Sequence, residues 1–357
     1  MTRIVVIGGG IAGLSAAAAL ARDAEVTVLE AESALGYHSS GRSAALIEQN
    51  YGAASVRALN AASFGPLQDG GYLSPRGLLI IGRADEKHAF NADMVALGTK
   101  PIPLEDAREM VPILDLGVIT DAGYHPEAYD IDTDRLLQDF ARELRRHGGA
   151  LVTGARVAHI TQESEGWHLR TDASSYHADV IVNAAGAWAD EIARMAGIAP
   201  IGLIPYRRSM ARIPAPGGHD VSGWPMFFGV GETWYAKPDA GALLVSPAEE
   251  DPTEPHDAWA DDLTLAEGLA RYSDVVTTEV TRMLSNWAGL RSFAPDRTLV
   301  LGPDPDCASF IWCAGQGGYG MQTSFAAGRL VGELTFGRAS DLPRDVIAAL
   351  RPERLRA

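Results

Sequence analysis

The N-terminal run Ile4-Val5-Val6-Ile7 breaks into Gly8-Gly9-Gly10-Ile11-Ala12-Gly13, and a small-residue helix, Leu14 to Ala21, follows. A second apolar run, Val26-Thr27-Val28-Leu29, ends on Glu30. Strand, glycine turn, helix, strand and terminal acid in that order form a complete βαβ dinucleotide-binding unit, which the glycines alone would not establish. Gly8 permits the tight turn, Gly10 lets the main chain approach a pyrophosphate, and Gly13 lets helix and strand pack closely. The helix N-terminus offers free N–H groups and a positive dipole end. Glu30 stands where a carboxylate can accept hydrogen bonds from a ribose diol. A chain that opens this way is committed to a parallel α/β sheet.

The rest must fit around that unit. With 357 residues there is enough chain for a large core and a second domain. A net charge of −16 argues against nucleic acid or an anionic membrane as a main partner, and an anionic substrate would need locally placed cations. Cys307 and Cys313 are too few for a disulfide framework, so a reducing cytoplasm is the expected location. The apolar N-terminus belongs to the fingerprint and reads as neither a targeting segment nor an integral membrane segment. His38, His125, His159 and His256 lack metal-ligand spacing, and no metal is expected.

An amphipathic helix begins at Asp132, with Leu136, Leu137, Phe140 and Leu144 on one face and Gly148-Gly149 after it. Strands are expected at 155–160, 167–171 and 180–182, then Asn183-Ala184-Ala185-Gly186-Ala187-Trp188 turns from strand to helix. Residues 70–130 read as irregular apart from a strand at 77–81. Residues 202–247 read as short strands, and a helix is expected to run to about Met283. Strands at 298–301 and 310–314 lead into Gly315-Gln316-Gly317-Gly318-Tyr319-Gly320 and a helix over 321–334. The expected class is α/β with an α+β second domain. A discontinuous Rossmann-like domain (1–70, 131–203 and 288–357) interleaves with a mostly antiparallel substrate domain (71–130 and 204–287).

Three small-residue turns at strand ends allow main-chain N–H groups to approach a ligand at several points. A nicotinamide enzyme normally needs only the first. A cofactor enclosed at both ends favours FAD over NAD, with the helix start near Gly320 placed to stabilise negative charge on a reduced flavin.

Several stretches extend this. The fingerprint with Glu30, Gly36-Tyr37-His38-Ser39-Ser40-Gly41-Arg42-Ser43-Ala44-Ala45, the turn at 183–188, Gln316 to Gly320, and Trp287-Ala288-Gly289-Leu290-Arg291 run in one order along nearly the whole chain. In them the sequence resembles the D-amino-acid oxidase and sarcosine/glycine oxidase family of FAD enzymes, and within it the bacterial D-arginine dehydrogenases. The resemblance implies non-covalent FAD bordered by Gly8, Gly10, Ala12, Gly13, Glu30, Ala31, Ser39, Ser40, Gly41, Arg42, Ser43, Ala44, Ala45, Leu46, Val157, Gly186, Gly317, Tyr319, Gly320, Met321 and Gln322. It places Arg291 and Tyr235 on the substrate α-carboxylate, with Arg208 and Tyr51 nearby and main-chain groups of Gly318 beside the amine. Arginine's planar fork suits a carboxylate. Which of Arg207 and Arg208 faces inward is open, and Tyr51 is expected on a lid loop.

The implied reaction is oxidative deamination of D-amino acids to 2-oxo acids and ammonia by hydride transfer from Cα to flavin N5. The departures from the D-arginine enzymes matter. A glutamate that binds the substrate's cationic end is matched by Leu78, and a histidine beside the flavin by Leu46. Neutral or apolar side chains are therefore expected, unless Glu48 compensates. The strand Ala242-Leu243-Leu244-Val245 lacks the lysine that related oxidases place near the flavin, which tilts the acceptor towards a quinone over oxygen. Other readings are an oxidase of glycine or N-methyl amino acids that produces hydrogen peroxide, a flavin-bearing subunit of an electron-transfer complex, and a tRNA-modifying flavoprotein.

Overall fold

The computed structural model describes residues 1–356. The strands Arg3–Ile7, Glu25–Leu29, Val180–Asn183 and Phe310–Ala314 bury apolar runs on both faces, the pattern of a parallel sheet covered on both sides. They form the centre of a six-stranded sheet in the order 300–303, 310–314, 180–183, 3–7, 25–29, 150–152. Every pairing in it is parallel except that of Val300–Pro303 with Phe310–Ala314.

Helix Ile11–Leu20 lies over this sheet and is buried nearly all round. Its alanines let two further helices approach, Thr133–Arg146 and Gly320–Thr335. The first of these starts at Asp132, whose side chain accepts from the Arg135 N–H at 3.0 Å, and it buries Leu136, Leu137, Phe140, Ala141 and Leu144. The second touches at Gly328, where a Cβ would lie 2.6 Å from the Ser15 main chain. At the fingerprint itself, Gly8 has a φ of +112°, and a Cβ on Gly13 would overlap the Gly8 carbonyl oxygen.

The second sheet has nine strands. Ile204–Pro214 pairs along its length with Ser285–Phe293 and near its end with Ala242–Ser246. Tyr235–Asp239, Met226–Gly229, Leu78–Arg83 and Ile119–His125 follow in that order. All these pairings are antiparallel except that of Met226–Gly229 with Leu78–Arg83. Strand alternation then separates two faces. Leu79, Ile81, Phe227, Ala236, Leu243 and Val245 enter a core under the sheet. Leu78, Ile80, Phe228 and Tyr235 point the other way.

Three sequence expectations change. Residues 70–130 are not irregular: they carry helices Lys87–Leu97 and Leu104–Met110 and the strand Ile119–His125. The region 202–247 opens with one eleven-residue strand rather than short ones. The helix expected to reach Met283 is Asp262–Ser273. Past Asp274 the β-branched Val275-Val276-Thr277-Thr278 disfavours helix, and Val276 instead bridges to Leu114.

Gly328 tests the helix packing. Gly328→Ala must push the Ser15 main chain aside, so we expect a loss of about 1–3 kcal/mol and a lower Tm in thermal denaturation.

Candidate functional site

Two cavities meet the glycine turns. The first, about 310 Å³, is lined by Gly8, Gly10, Glu30, Ala31, Ser39, Ser40, Val157, Gly186 and Trp188, among others. Glu30 is fixed there by two main-chain donors: Gly9 N–H reaches Oε2 at 2.6 Å and Glu32 N–H reaches Oε1 at 2.7 Å. Each oxygen keeps a lone pair for a diol. Ser40 Oγ accepts from the Ile11 N–H at 3.0 Å, tying the 36–45 segment to the helix start. His38 lines the same cavity, with Nε2 3.1 Å from Glu32 Oε1 and its ring 4.7 Å from that of Trp188.

The second cavity, about 100 Å³, is walled by the front face of the nine-stranded sheet and by the start of helix Gly320–Thr335. Ser43, Ala44, Ala45, Leu46, Met321 and Gln322 border it, and so do Tyr51, Tyr235, Arg291, Gly318, Glu48 and Leu78. Residues far apart in the sequence, Ser43 with Gln322 and Leu46 with Arg291, thus share one chamber. Gln322 is buried, and its Nε2 has no partner.

Arg291 dominates the chamber. No hydrogen bond or ion pair reaches its guanidinium among the described residues, although Gly318 packs against it closely enough that a Cβ would sit 3.1 Å from a guanidinium nitrogen. Burial works to lower its pKa, and the phenols of Tyr51 and Tyr235 with the carboxylates of Glu232 and Glu250 outweigh that, so its net shift is upward. The Tyr51 hydroxyl donates to Glu232 at 3.2 Å, and its ring packs on Tyr319 at 5.3 Å. Burial, then the neighbouring Glu232, pushes the Tyr51 pKa up, so the phenol remains a donor.

The register resolves Arg207 against Arg208. Tyr206 pairs with Arg291 and Arg208 with Gly289, which puts Arg208 on the Arg291 face of the ladder. Arg208 is the buried one, 3.1 Å from Glu250, and does not line the chamber; Arg207 faces outward to Asp251. Arg208 therefore holds Glu250 near Arg291 rather than presenting itself to the chamber.

Other expected cofactor residues act from behind the walls. The Arg42 guanidinium donates to Ala258 O at 2.9 Å and Ala288 O at 3.0 Å and pairs with Asp257, which leaves only its main chain for a cofactor. Gly41 closes a turn onto Gly36 O at 2.7 Å. A Cβ on Gly317 would strike the Phe293 ring, and one on Gly320 would lie 3.2 Å from Ile11. Ala12, Gly13 and Tyr319 likewise pack beside the two cavities without lining them.

Sequence reasoning missed four wall residues: Leu97, Met226, Phe228 and Glu232. It also missed Lys237. The strand 242–245 indeed carries no lysine, but the adjacent strand brings Lys237 under Ala44 and Ala45. Its ammonium donates to the carbonyls of Ala44 and Ala45 and forms an ion pair with Asp130 at 2.7 Å. Burial lowers its pKa, with Asp130 opposing.

The two chambers fit an extended dinucleotide with a redox ring at its inner end. Glu30 and the small-residue turns suit the ribose and pyrophosphate, and the unpartnered Gln322 Nε2 and the helix start suit a polar ring edge. Neither Cys307 nor Cys313 lines either chamber. The fold and site are those of a flavin-dependent oxidoreductase.

Comparison with known proteins agrees. Residues 3–334 match the family model described as FAD dependent oxidoreductase (DAO), and the chain belongs to that family. Its cofactor is FAD. Among curated proteins it is 25% identical over 224 residues to hydrogen cyanide synthase subunit HcnC of Pseudomonas aeruginosa, covering 61% of this chain and 51% of that protein. It is 28% identical over 210 residues to human mitochondrial dimethylglycine dehydrogenase, covering 54% of this chain and 24% of that one. The matches thus span about half or less of these relatives. Among solved structures, L-proline dehydrogenase from P. horikoshii superposes with a TM-score of 0.84 at 25% identity, covering 99% of this chain and 98% of that one. Glycine oxidase from Geobacillus kaustophilus gives 0.80 at 21% identity, covering 96% and 97%. Among the described residues no helix is long and apolar enough to cross a membrane, and no cluster of His, Cys, Asp and Glu is placed to hold a metal.

Glu48 gives a pH test. It is 3% exposed, and burial raises its carboxyl pKa above the usual value, His125 and Asn50 opposing. Between the ordinary and the raised pKa the folded chain binds more protons than the unfolded one. Stability from this group therefore falls as pH rises through that window. We expect Glu48→Gln to gain stability relative to wild type as pH increases from 4 to 8 in denaturant melts. A difference independent of pH would contradict this.

Proposed function

We propose that this chain oxidises the C–N bond of free α-amino acids, with D-enantiomers bearing neutral or apolar side chains preferred, to 2-oxo acids and ammonia. One observation carries the reading. The inner chamber sets the buried, unpaired guanidinium of Arg291 beside the Glu232 carboxylate, a charge pair complementary to an amino-acid zwitterion. Arg291 would clamp the α-carboxylate, with Tyr235 and the Tyr51 phenol as further donors. Clamping fixes Cα while Leu46, Leu78, Met226 and Phe228 exclude water. FAD, when bound, supplies the hydride acceptor. The amine must be neutral as its lone pair enters the imine, so orientation rather than a strong base is the main task.

The preference for neutral side chains is supported by the apolar walls at Leu46 and Leu78, which offer no hydrogen-bond acceptor to the several donors of a substrate cation. The D-configuration is supported by the resemblance of motifs 36–45 and 287–291 to the D-arginine dehydrogenases. A quinone or another carrier is proposed as acceptor, since the buried Lys237 is tied to the carbonyls of Ala44 and Ala45 and ion-paired with Asp130. Segments 1–70, 131–203 and 288–357 are proposed as the FAD domain, and 71–130 with 204–287 as the substrate domain; a cytoplasmic location is proposed with them.

A second reading is oxidation of glycine or of secondary and N-methylated amino acids. It is favoured by the names of the similar proteins, which act on dimethylglycine, proline and glycine.

Anaerobic flavin bleaching decides between them. We expect D-leucine and D-methionine to reduce the flavin at least tenfold faster than their L-forms, D-arginine or sarcosine. Fastest reduction by sarcosine, glycine or proline would establish the second reading. Arg291→Ala should keep its FAD and lose about 100-fold or more in substrate affinity, as expected for a lost charged fork. An unchanged affinity would remove Arg291 from the site.

A further inference from the structure

Glu48 stands on the turn that carries Tyr51, whose N–H closes onto Glu48 O at 3.2 Å. Its side chain is almost wholly buried and lines the inner chamber. The two carboxylate oxygens are unequal. Oε1 accepts from Asn50 Nδ2 at 3.0 Å and lies 3.4 Å from His125 Nε2. Oε2 is buried without any partner. Asn50 also donates to Leu97 O at 3.2 Å, at the end of helix Lys87–Leu97, so the carboxyl is held from a fixed element.

The sheet register places this group. His125 pairs with Leu78, and Leu78 pairs in turn with Met226. Glu48, in reach of His125, therefore lies towards the Leu78 side of the chamber, while Arg291 stands on the strand at the far end of the sheet. The groups that set the charge state of Arg291 are Tyr51, Tyr235, Glu232 and Glu250; the neighbours of Glu48 are Asn50 and His125. The chamber thus has a carboxylate-binding end and a second polar point among apolar side chains.

We propose that Glu48 is a specificity-determining residue whose free Oε2 accepts a hydrogen bond from an uncharged, donor-tipped substrate side chain, a hydroxyl or a primary amide. This rests on the amino-acid reading above and names the side-chain class. A buried acceptor without a donor costs free energy, and a ligand donor removes that cost. The count of donors selects among ligands. One free oxygen satisfies the single donor of a hydroxyl, or one of the two N–H donors of a primary amide. An ammonium brings three N–H donors and a guanidinium five, and Leu46, Leu78 and Met226 offer nothing to the remainder.

Isosteric pairs test this without depending on overall activity. The ratio of kcat/KM for threonine over valine, and for glutamine over methionine, is measured in the reactive stereochemical series. Wild type should favour the donor-tipped member of each pair about tenfold or more, the range of a hydrogen bond to a carboxyl group. Glu48→Leu should invert both ratios. Glu48→Gln, which keeps the shape and the Asn50 contact, should bring them towards unity, and it covers the case in which the leucine variant fails to fold. Ratios that favour valine and methionine in wild type, or that survive in both variants, would overturn the proposal while leaving the amino-acid reading standing. Failure of every amino acid to reduce the flavin would remove that reading and this proposal with it.

Discussion

The inner chamber is organised around a guanidinium with no partner of its own. Burial works against the Arg291 charge, and the phenols of Tyr51 and Tyr235 with the carboxylates of Glu232 and Glu250 placed nearby more than offset that, although none of them bonds its guanidinium. Much of the surrounding architecture serves that arrangement. Arg208 is buried to hold Glu250, and Arg297 reaches the same carboxylate at 2.8 Å. The Arg297 guanidinium also lies 3.9 Å over the Phe293 ring, two residues from Arg291. The guanidinium donors left without partners are what an anionic ligand would engage.

The outer and inner chambers are coupled mechanically. The 36–45 segment runs from the first chamber to the second, and Ser39 Oγ donates to Leu290 O at 2.6 Å, next to Arg291. Arg42 adds bonds to Ala288 O on the same strand and to Ala258 O on the loop before helix Asp262–Ser273. Lys237 ties Ala44 and Ala45 to the sheet from below. The 36–45 segment and the strand that carries Arg291 are thus positioned against each other by buried or half-buried hydrogen bonds.

The sequence made the first βαβ unit legible because all its determinants are local: apolar runs, glycines and a terminal acid within thirty residues. The helix at 133–146 was legible by its cap and its stripe. Arg291, Tyr235 and Tyr51 were found by their motif surroundings, and they do share one chamber. Glu232, Met226, Phe228 and Leu97 left no local signal. They reach the chamber because the order of strands in the second sheet brings 226–229 beside 78–83 and 235–239, a pairing no short window contains. Helix Lys87–Leu97 escaped for a related reason. Only Phe90 is fully buried in it, so it shows no apolar stripe. Arg42 read as a cofactor residue from its motif, yet its guanidinium serves the scaffold.

The central claim is that Arg291 makes the inner chamber a carboxylate site. Calorimetric titration of the FAD-loaded protein with propionate and with propionamide, its neutral near-isostere, tests it directly. Propionate should bind at least tenfold more tightly, and the difference should vanish in Arg291→Leu with FAD content retained. Equal affinity for the two ligands, or a carboxylate preference that persists without Arg291, would contradict the account.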